Sequence, residues 1–270
     1  MHGPEAGGDR REQVCAGRGC RRDRKQRLAL LEQRFDSGTI RRLGDLGVAS
    51  GWRCLEVGAG HGSIARWLAE KVGSAGSVVA ADIDTRFLTG LPDNVDVRQL
   101  DIRDLKLEPD FDVAHCRALL MHLPDPADAL TRIVAGLRPG GVLLAEEGDF
   151  GLVHFGGHPN SPAQNDAHQQ ILSTLREARI MDGYFGRKLP ELLLAHGLEL
   201  QRAEIDAATA RFGEPEYEWM RITWLEATAK LVVAGMVDAA TRTVLEEFFS
   251  TTGTVVTSIG LVAAVGRKPS

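Results

Sequence analysis

Residues 52–63 constrain this chain more than any other stretch. Trp52 to Val57 is apolar enough to read as a short buried strand, and it runs straight into Gly58-Ala59-Gly60-His61-Gly62-Ser63. Beyond the glycines, Ile64, Trp67, Leu68 and Val72 recur at near-helical spacing. The unit is strand, glycine loop, helix. Glycine tolerates positive φ and lets a ligand approach the backbone. The helix start behind it offers N–H groups that have no intrahelical acceptor. A tight turn without a ligand would use the same residues, so the decision falls to the downstream residues.

From Ser77 onward the chain alternates between strands and helices. Ser77–Asp82, Val95–Leu100, Phe111–Arg117 and Val142–Glu147 read as strands, with helical patterns between them, including Ala129–Leu137. Such alternation predicts an α/β fold with a parallel sheet and right-handed crossovers. Asp82 ends the second strand 26 positions after Glu56, near the spacing of a ribose-binding carboxylate in a dinucleotide-type unit. A carboxylate can accept from both ribose hydroxyls. Asp84 reads as the cap of the next helix.

No Lys-Ser/Thr pair succeeds the loop, which argues against a P-loop, and the spacing is G-x-G-x-G after Glu56 rather than G-x-G-x-x-G. This pattern resembles the first motif of class I S-adenosylmethionine-dependent methyltransferases. Met121-His122-Leu123-Pro124-Asp125-Pro126 and Gly136-Leu-Arg-Pro-Gly-Gly-Val-Leu143 resemble two further recurrent parts of that family. The resemblance spans about residues 26–267. It implies a Rossmann-like sheet of seven strands, the last antiparallel, with helical cap insertions, and S-adenosyl-L-methionine as cofactor. It implies that Glu56 faces the methionine moiety, that Gly58, Gly60 and Gly62 admit the ligand, and that Asp82 with Ile83 serves the ribose. Asp101 would accept from the adenine amine, with Ile102 on the ring; a loop-capping acid is the alternative for Asp101. Cys116 and Arg117 fall at the mouth of the fourth strand, where ligands sit in open α/β sheets.

Composition bounds the setting. With 270 residues, 43% hydrophobic and 26% charged, the chain can bury a core without staples. No apolar run approaches the roughly 20 residues of a membrane span. The start of the chain has no apolar h-region of a secretory signal. Cys15, Cys20, Cys54 and Cys116 form no disulfide framework, and a reduced cytoplasm is the expected location. Residues 1–27 carry eight Arg and Lys against four Asp and Glu, within a net charge of −5. The body is therefore acidic and a poor phosphate binder, which argues against nucleic acid as substrate. Residues 1–25 read as a disordered basic leader and 26–270 as the methyltransferase domain. Its N-terminal lid helices (26–50) carry an apolar stripe of Leu28, Leu31, Phe35, Ile40 and Leu43, interrupted at Ser37-Gly38. An exposed apolar face there would also serve a homodimer.

Acceptor specificity is expected from 26–50 and from the cap insertions 148–186 and 214–249, the second a long helical stretch. Phe35 and Arg34 are lid candidates, with core packing the alternative for Phe35. His122 either supports the pocket or is structural. His154, His158, Asp166, His168, Tyr184 and Glu218 are the polar candidates. Asp166 and Tyr184 form the expected acid/base pair; a helix-dipole charge and a core-edge aromatic are their plainer readings. The three histidines with Asp166 lack a compact ligand spacing, so no metal is expected. Phe155, Trp219 and Trp224 could stack on an aromatic acceptor or pack in a core, and His158 would line the same site. The chain also looks like actinomycete methyltransferases of specialised metabolism, a group that includes indole carbon methyltransferases. That likeness implies a small aromatic substrate, with methylation at indole carbon three of a tryptophan-derived diketopiperazine and closure to a pyrroloindoline. Oxygen or nitrogen methylation of a polyketide, quinone or phenol is the alternative. A cofactor-binding cyclase or scaffold that transfers nothing is a third reading. A final apolar strand, 255–265, closes the sheet.

Overall fold

The computed structural model describes residues 19–104, 107 and 109–270, with side chains described from residue 28 onward. Seven strands form the central sheet: β1 (Arg53–Val57), β2 (Ser77–Asp82), β3 (Val95–Gln99), β4 (Phe111–Arg117), β5 (Leu137–Asp149), β7 (Glu199–Asp206) and β10 (Gly260–Arg267). Their order is β3-β2-β1-β4-β5-β10-β7. Neighbours from β3 through β5 run parallel, and β10 lies antiparallel between β5 and β7. The expected sheet, with its last strand antiparallel, is present. The order reverses between β1 and β4, so a crevice opens at the C-terminal ends of those two strands.

Strand alternation sends successive side chains to opposite faces. On one face Cys54, Val113, Val142, Leu144, Ala263 and Val265 pack under α1 (Gly19–Asp45) and α2 (Ser63–Val72). On the other, Leu55, Val57, Ala114, Cys116, Leu143 and Ala145 pack under α3 (Pro126–Gly136) and α5 (Leu189–Ala195). The inner strands β1, β2, β4, β5 and β10 carry mostly apolar side chains because both faces are covered, whereas the edge strands β3 and β7 are polar and half exposed. A second apolar core lies beyond β5. It is built by α4 (Ser161–Glu177), α6 (Pro215–Val233), α7 (Ala239–Ser250) and the antiparallel sheet β6 (His154–Gly156), β9 (Val255–Thr257), β8 (Thr209–Arg211). No described helix is long and apolar enough to cross a membrane.

Four expectations change. Residues 19–25, assigned to the leader, are the first turns of α1; no glycine or proline interrupts the chain from Cys20 to Ser37, so the helix can propagate. Residues 1–18, including Cys15, lie outside the described residues. The lid is one helix, with no break at Ser37-Gly38. A Cβ on Gly38 would sit 2.9 Å from the Arg42 side chain and 3.0 Å from Asp206, so glycine is there for close approach to β7. The stretch 214–249 is two helices, because Gly235 takes φ of 66° and Asp238 caps α7 by accepting from Thr241 N–H at 2.7 Å. The stretch 255–265 is likewise split: β9 belongs to the small sheet and only β10 joins the large one.

Candidate active site

The glycine loop opens the site. Gly58, Gly60 and Gly62 have φ of 75°, 58° and 82°, a region side chains disfavour. A Cβ on Gly62 would also meet Leu88 and Leu91 at 3.0 Å. Asp82 draws the loop onto β2: its carboxylate accepts from Gly60 N–H and Asp84 N–H, both at 2.9 Å.

A cavity of about 90 Å³ lies at the crevice. Its floor is Glu56, the glycine loop and Arg117, and its roof is Leu28, Leu31, Glu32 and Phe35 of α1 with Trp219 of α6. Met121, Phe150, Ile259 and Leu261 complete the apolar walls. Phe35 and Trp219 meet edge to face, ring centroids 5.8 Å apart.

The roof is tied down by polar contacts at successive turns of α1. His61 Nδ1 lies 3.5 Å from Glu32 Oε2. Arg117 donates to Asp36 at 2.7 Å and to the Thr39 hydroxyl at 2.8 Å. Thr39 donates to Glu146 at 2.5 Å, and Arg42 donates to the other Glu146 oxygen at 2.9 Å. Beneath these, His115 is wholly buried, with Nδ1 2.8 Å from Glu56 and Nε2 3.1 Å from Glu146. Burial disfavours the charged ring, but the attraction of Glu56 and Glu146 outweighs it and pushes the His115 pKa up to about 9. Both nitrogens then donate. Burial also opposes ionisation of Glu146, yet its bond to His115 prevails and its pKa is lowered. Glu147 faces the other layer, where it accepts from Leu119, Leu120 and Met121 N–H groups; burial pushes its pKa up to about 7 against those bonds.

The structure brings together some of the expected residues. Glu56, Gly58, Gly60, Arg117, Phe35 and Trp219 line one cavity, with Gly62 and Asp82 directly behind it. Ile83 is 61% exposed at the tip of β2. Asp101 is held by Arg103, with contacts of 2.6–3.0 Å, and that hydrogen bonding lowers its pKa; Ile102 is buried beside it. Cys116 is a correction: one residue past His115 on β4, it points to the opposite layer and is fully buried. Only its backbone could reach a ligand at the mouth.

The acceptor-side expectations change more. Asp166 is exposed on α4, because Gln164, Ala167, His168, Ile171 and Leu172 form that helix's buried face. The Tyr184 hydroxyl donates to Gln169, and neither Asp166 nor Tyr184 lines the cavity. Phe155 is fully buried in the second core, against Phe248 at 4.9 Å. Trp224 is buried there as well, against His168 at 4.8 Å. His158 accepts from Asn160 N–H at the turn before α4. His122 and His154 are exposed. Arg34 pairs with Glu216 at 2.6 Å, and Glu218 with Arg221 at 2.7 Å. His115, Glu146, Asp36, Thr39 and Arg42 were not foreseen, although a histidine inside an apolar strand and an acid closing another were visible signals.

Residues 55–145 match the family model described as "Methyltransferase domain". Methyltransferase str3 of Strobilurus tenacellus is 33% identical over 147 residues, 52% of this chain and 50% of that protein. The ubiquinone/menaquinone biosynthesis C-methyltransferase UbiE of Ectopseudomonas mendocina is 36% identical over 112 residues, 37% of this chain and 43% of that one. The chain thus spans about half the length, or less, of these curated relatives. A structure of a proposed methyltransferase from Bacillus halodurans superposes with a TM-score of 0.58 at 19% identity, covering 86% of this chain and 99% of that one.

Proposed function

We propose that this chain is an S-adenosylmethionine-dependent methyltransferase acting on a small aromatic metabolite. The observation that carries the reading is the cavity at the reversal of strand order, with Glu56 and positive-φ glycines below and aromatic side chains above. The match of residues 55–145 to a methyltransferase domain covers the same strand, loop and helix. Gly58, Gly60 and Gly62 fit a ligand that lies against backbone, Asp82 stands beside them for the ribose, and Glu56 presents a carboxylate to an ammonium. The donor supplies an activated sulfonium methyl. The chain's own task is to align an acceptor and exclude water, and the closed apolar roof suits that.

The finer reading is carbon methylation of indole in a tryptophan-derived diketopiperazine. Phe35, Trp219 and Phe150 offer apolar faces to a flat ring. A carbon nucleophile needs no proton removed before attack, and neither Asp166 nor Tyr184 stands at the cavity to remove one. Oxygen methylation of a phenol or quinone is the second reading, favoured by the His61 and Glu32 pair in the cavity wall.

Calorimetry with S-adenosylmethionine, and then labelled-methyl transfer to indoles, diketopiperazines, phenols and quinones, tests both. Binding and a labelled indole product are expected. No cofactor binding would refute the enzyme reading, and label on a phenol oxygen would replace the indole reading with the second.

A further inference from the structure

The buried chain from Glu56 to α1 reaches beyond what methyl transfer itself requires. Glu56 is 4% exposed and lines the cavity. One of its oxygens is 2.8 Å from His115 Nδ1. His115 continues at 3.1 Å to Glu146, and Glu146 is held by Thr39 and Arg42 of the roof helix. The placement is set by register: Glu56 pairs with His115 across β1 and β4, and Arg117 with Glu146 across β4 and β5. All four side chains therefore rise from the same face of the sheet, beneath α1.

We propose that His115 is a positioning residue, clamped between Glu56 and Glu146 so that the Glu56 carboxylate is presented to the ammonium group of the donor's amino-acid portion, and that Glu146 ties this receptor to α1. The proposal rests on the cofactor reading above. With one oxygen held by His115, the carboxylate cannot rotate freely, and its other oxygen serves an incoming cation at no further ordering cost. Without the ring, Glu56 and Glu146 would be two buried carboxylates on one face with no cation between them, and Glu56 would lose its fixed orientation. The apolar body of a ligand does not report on this arrangement; only its ammonium does.

The test compares two ligands. S-adenosylhomocysteine carries the ammonium, whereas 5′-methylthioadenosine keeps the nucleoside and thioether but lacks the amino-acid portion. Calorimetry on wild type and His115→Gln is expected to show about tenfold weaker binding of S-adenosylhomocysteine in the variant, equivalent to one lost charge-assisted contact. Binding of 5′-methylthioadenosine is expected to change less than about twofold, within the error of such affinities. Thr39→Val perturbs the far end of the chain and leaves Glu56 and His115 in place. It is expected to weaken S-adenosylhomocysteine selectively too, by about two- to fivefold, as for one neutral hydrogen bond. It keeps the test alive if His115→Gln does not fold. Equal weakening of both ligands would assign His115 a purely structural role, and no weakening of either would remove it from the site; each overturns the proposal. Failure of wild type to bind either ligand would instead refute the cofactor reading beneath it.

Discussion

His168 offers a measurable link between burial and pH. It is fully buried in the second core, edge-on to Trp224 and Phe155. Its Nε2 donates to the Phe150 carbonyl at 2.8 Å, while Nδ1 has no hydrogen-bond partner among the described residues. Burial pulls its pKa down to about 4, against the opposing effect of the Phe150 carbonyl. The unfolded chain protonates this ring near its ordinary value of about 6.5, so below that pH the unfolded state binds more protons. Stability therefore rises with pH through this window and is lost as pH falls from about 6.5 towards 4. With these values the ring costs about 2 kcal/mol at pH 5 relative to pH 7. His168→Gln keeps a donor for the Phe150 carbonyl and cannot titrate. Urea denaturation of both proteins at pH 5 and pH 7 reads the effect as a difference, so other titrating groups cancel. Wild type should lose about 2 kcal/mol relative to the variant on moving to pH 5. An unchanged gap at the two values would refute the assignment of a neutral, buried His168.

Three further outcomes are expected. Gly62→Ala forces a methyl to φ of 82° against Leu88 and Leu91; it should cost about 1–3 kcal/mol in denaturation and weaken cofactor affinity measured by calorimetry. Phe155→Ala empties a fully buried ring site that does not itself line the cavity; it should cost about 3–5 kcal/mol in chemical denaturation while cofactor affinity of the folded fraction is kept. Asp166→Asn alters an exposed helix position; stability should stay within about 0.5 kcal/mol, and turnover with the acceptor found in the transfer screen should be unchanged.

The sheet was legible because its signals are local. Strand, glycine loop and helix are encoded within residues 52–72, and later strands show as short apolar runs in β2, β5 and β10 or as alternation in β3. The convergence of Glu56, Gly58, Gly60 and Arg117 on one cavity was legible with it, since strand ends at a switch point converge whatever the sequence between them. Cys116 stands at the mouth of its strand as expected, but a single step of alternation from His115 turns its side chain into the opposite layer. Asp166 was misplaced although the spacing of Gln164, Ala167, His168, Ile171 and Leu172 already defines a buried helix face that excludes it. Phe155 and Trp224 were ambiguous for a different reason: an aromatic residue bound for a second core and one bound for a ligand look alike until the cap is assembled. The buried chain through His115 was hidden because it joins α1, β1, β4 and β5. Only the strand order brings those elements side by side.

That chain also explains how one helix can be both a wall of the cavity and an anchored part of the fold. Replacing a buried ionic group by apolar side chains is often neutral or stabilising, so stability alone gives little reason to keep Glu146, Arg42 and His115 in the interior. Their arrangement does supply a unique seating for α1. Leu28, Leu31 and Phe35 present the apolar roof, and Glu32, Asp36 and Thr39 form the adjoining stripe that reaches His61, Arg117 and Glu146. The two stripes lie on one rigid helix. A rotation large enough to lift the roof must therefore strain or break the polar contacts, and restoring those contacts returns the apolar stripe to the same register over the cavity. The contacts that seat Phe35 over the cavity are thus the same ones that hold Glu146 against His115, and His115 against Glu56.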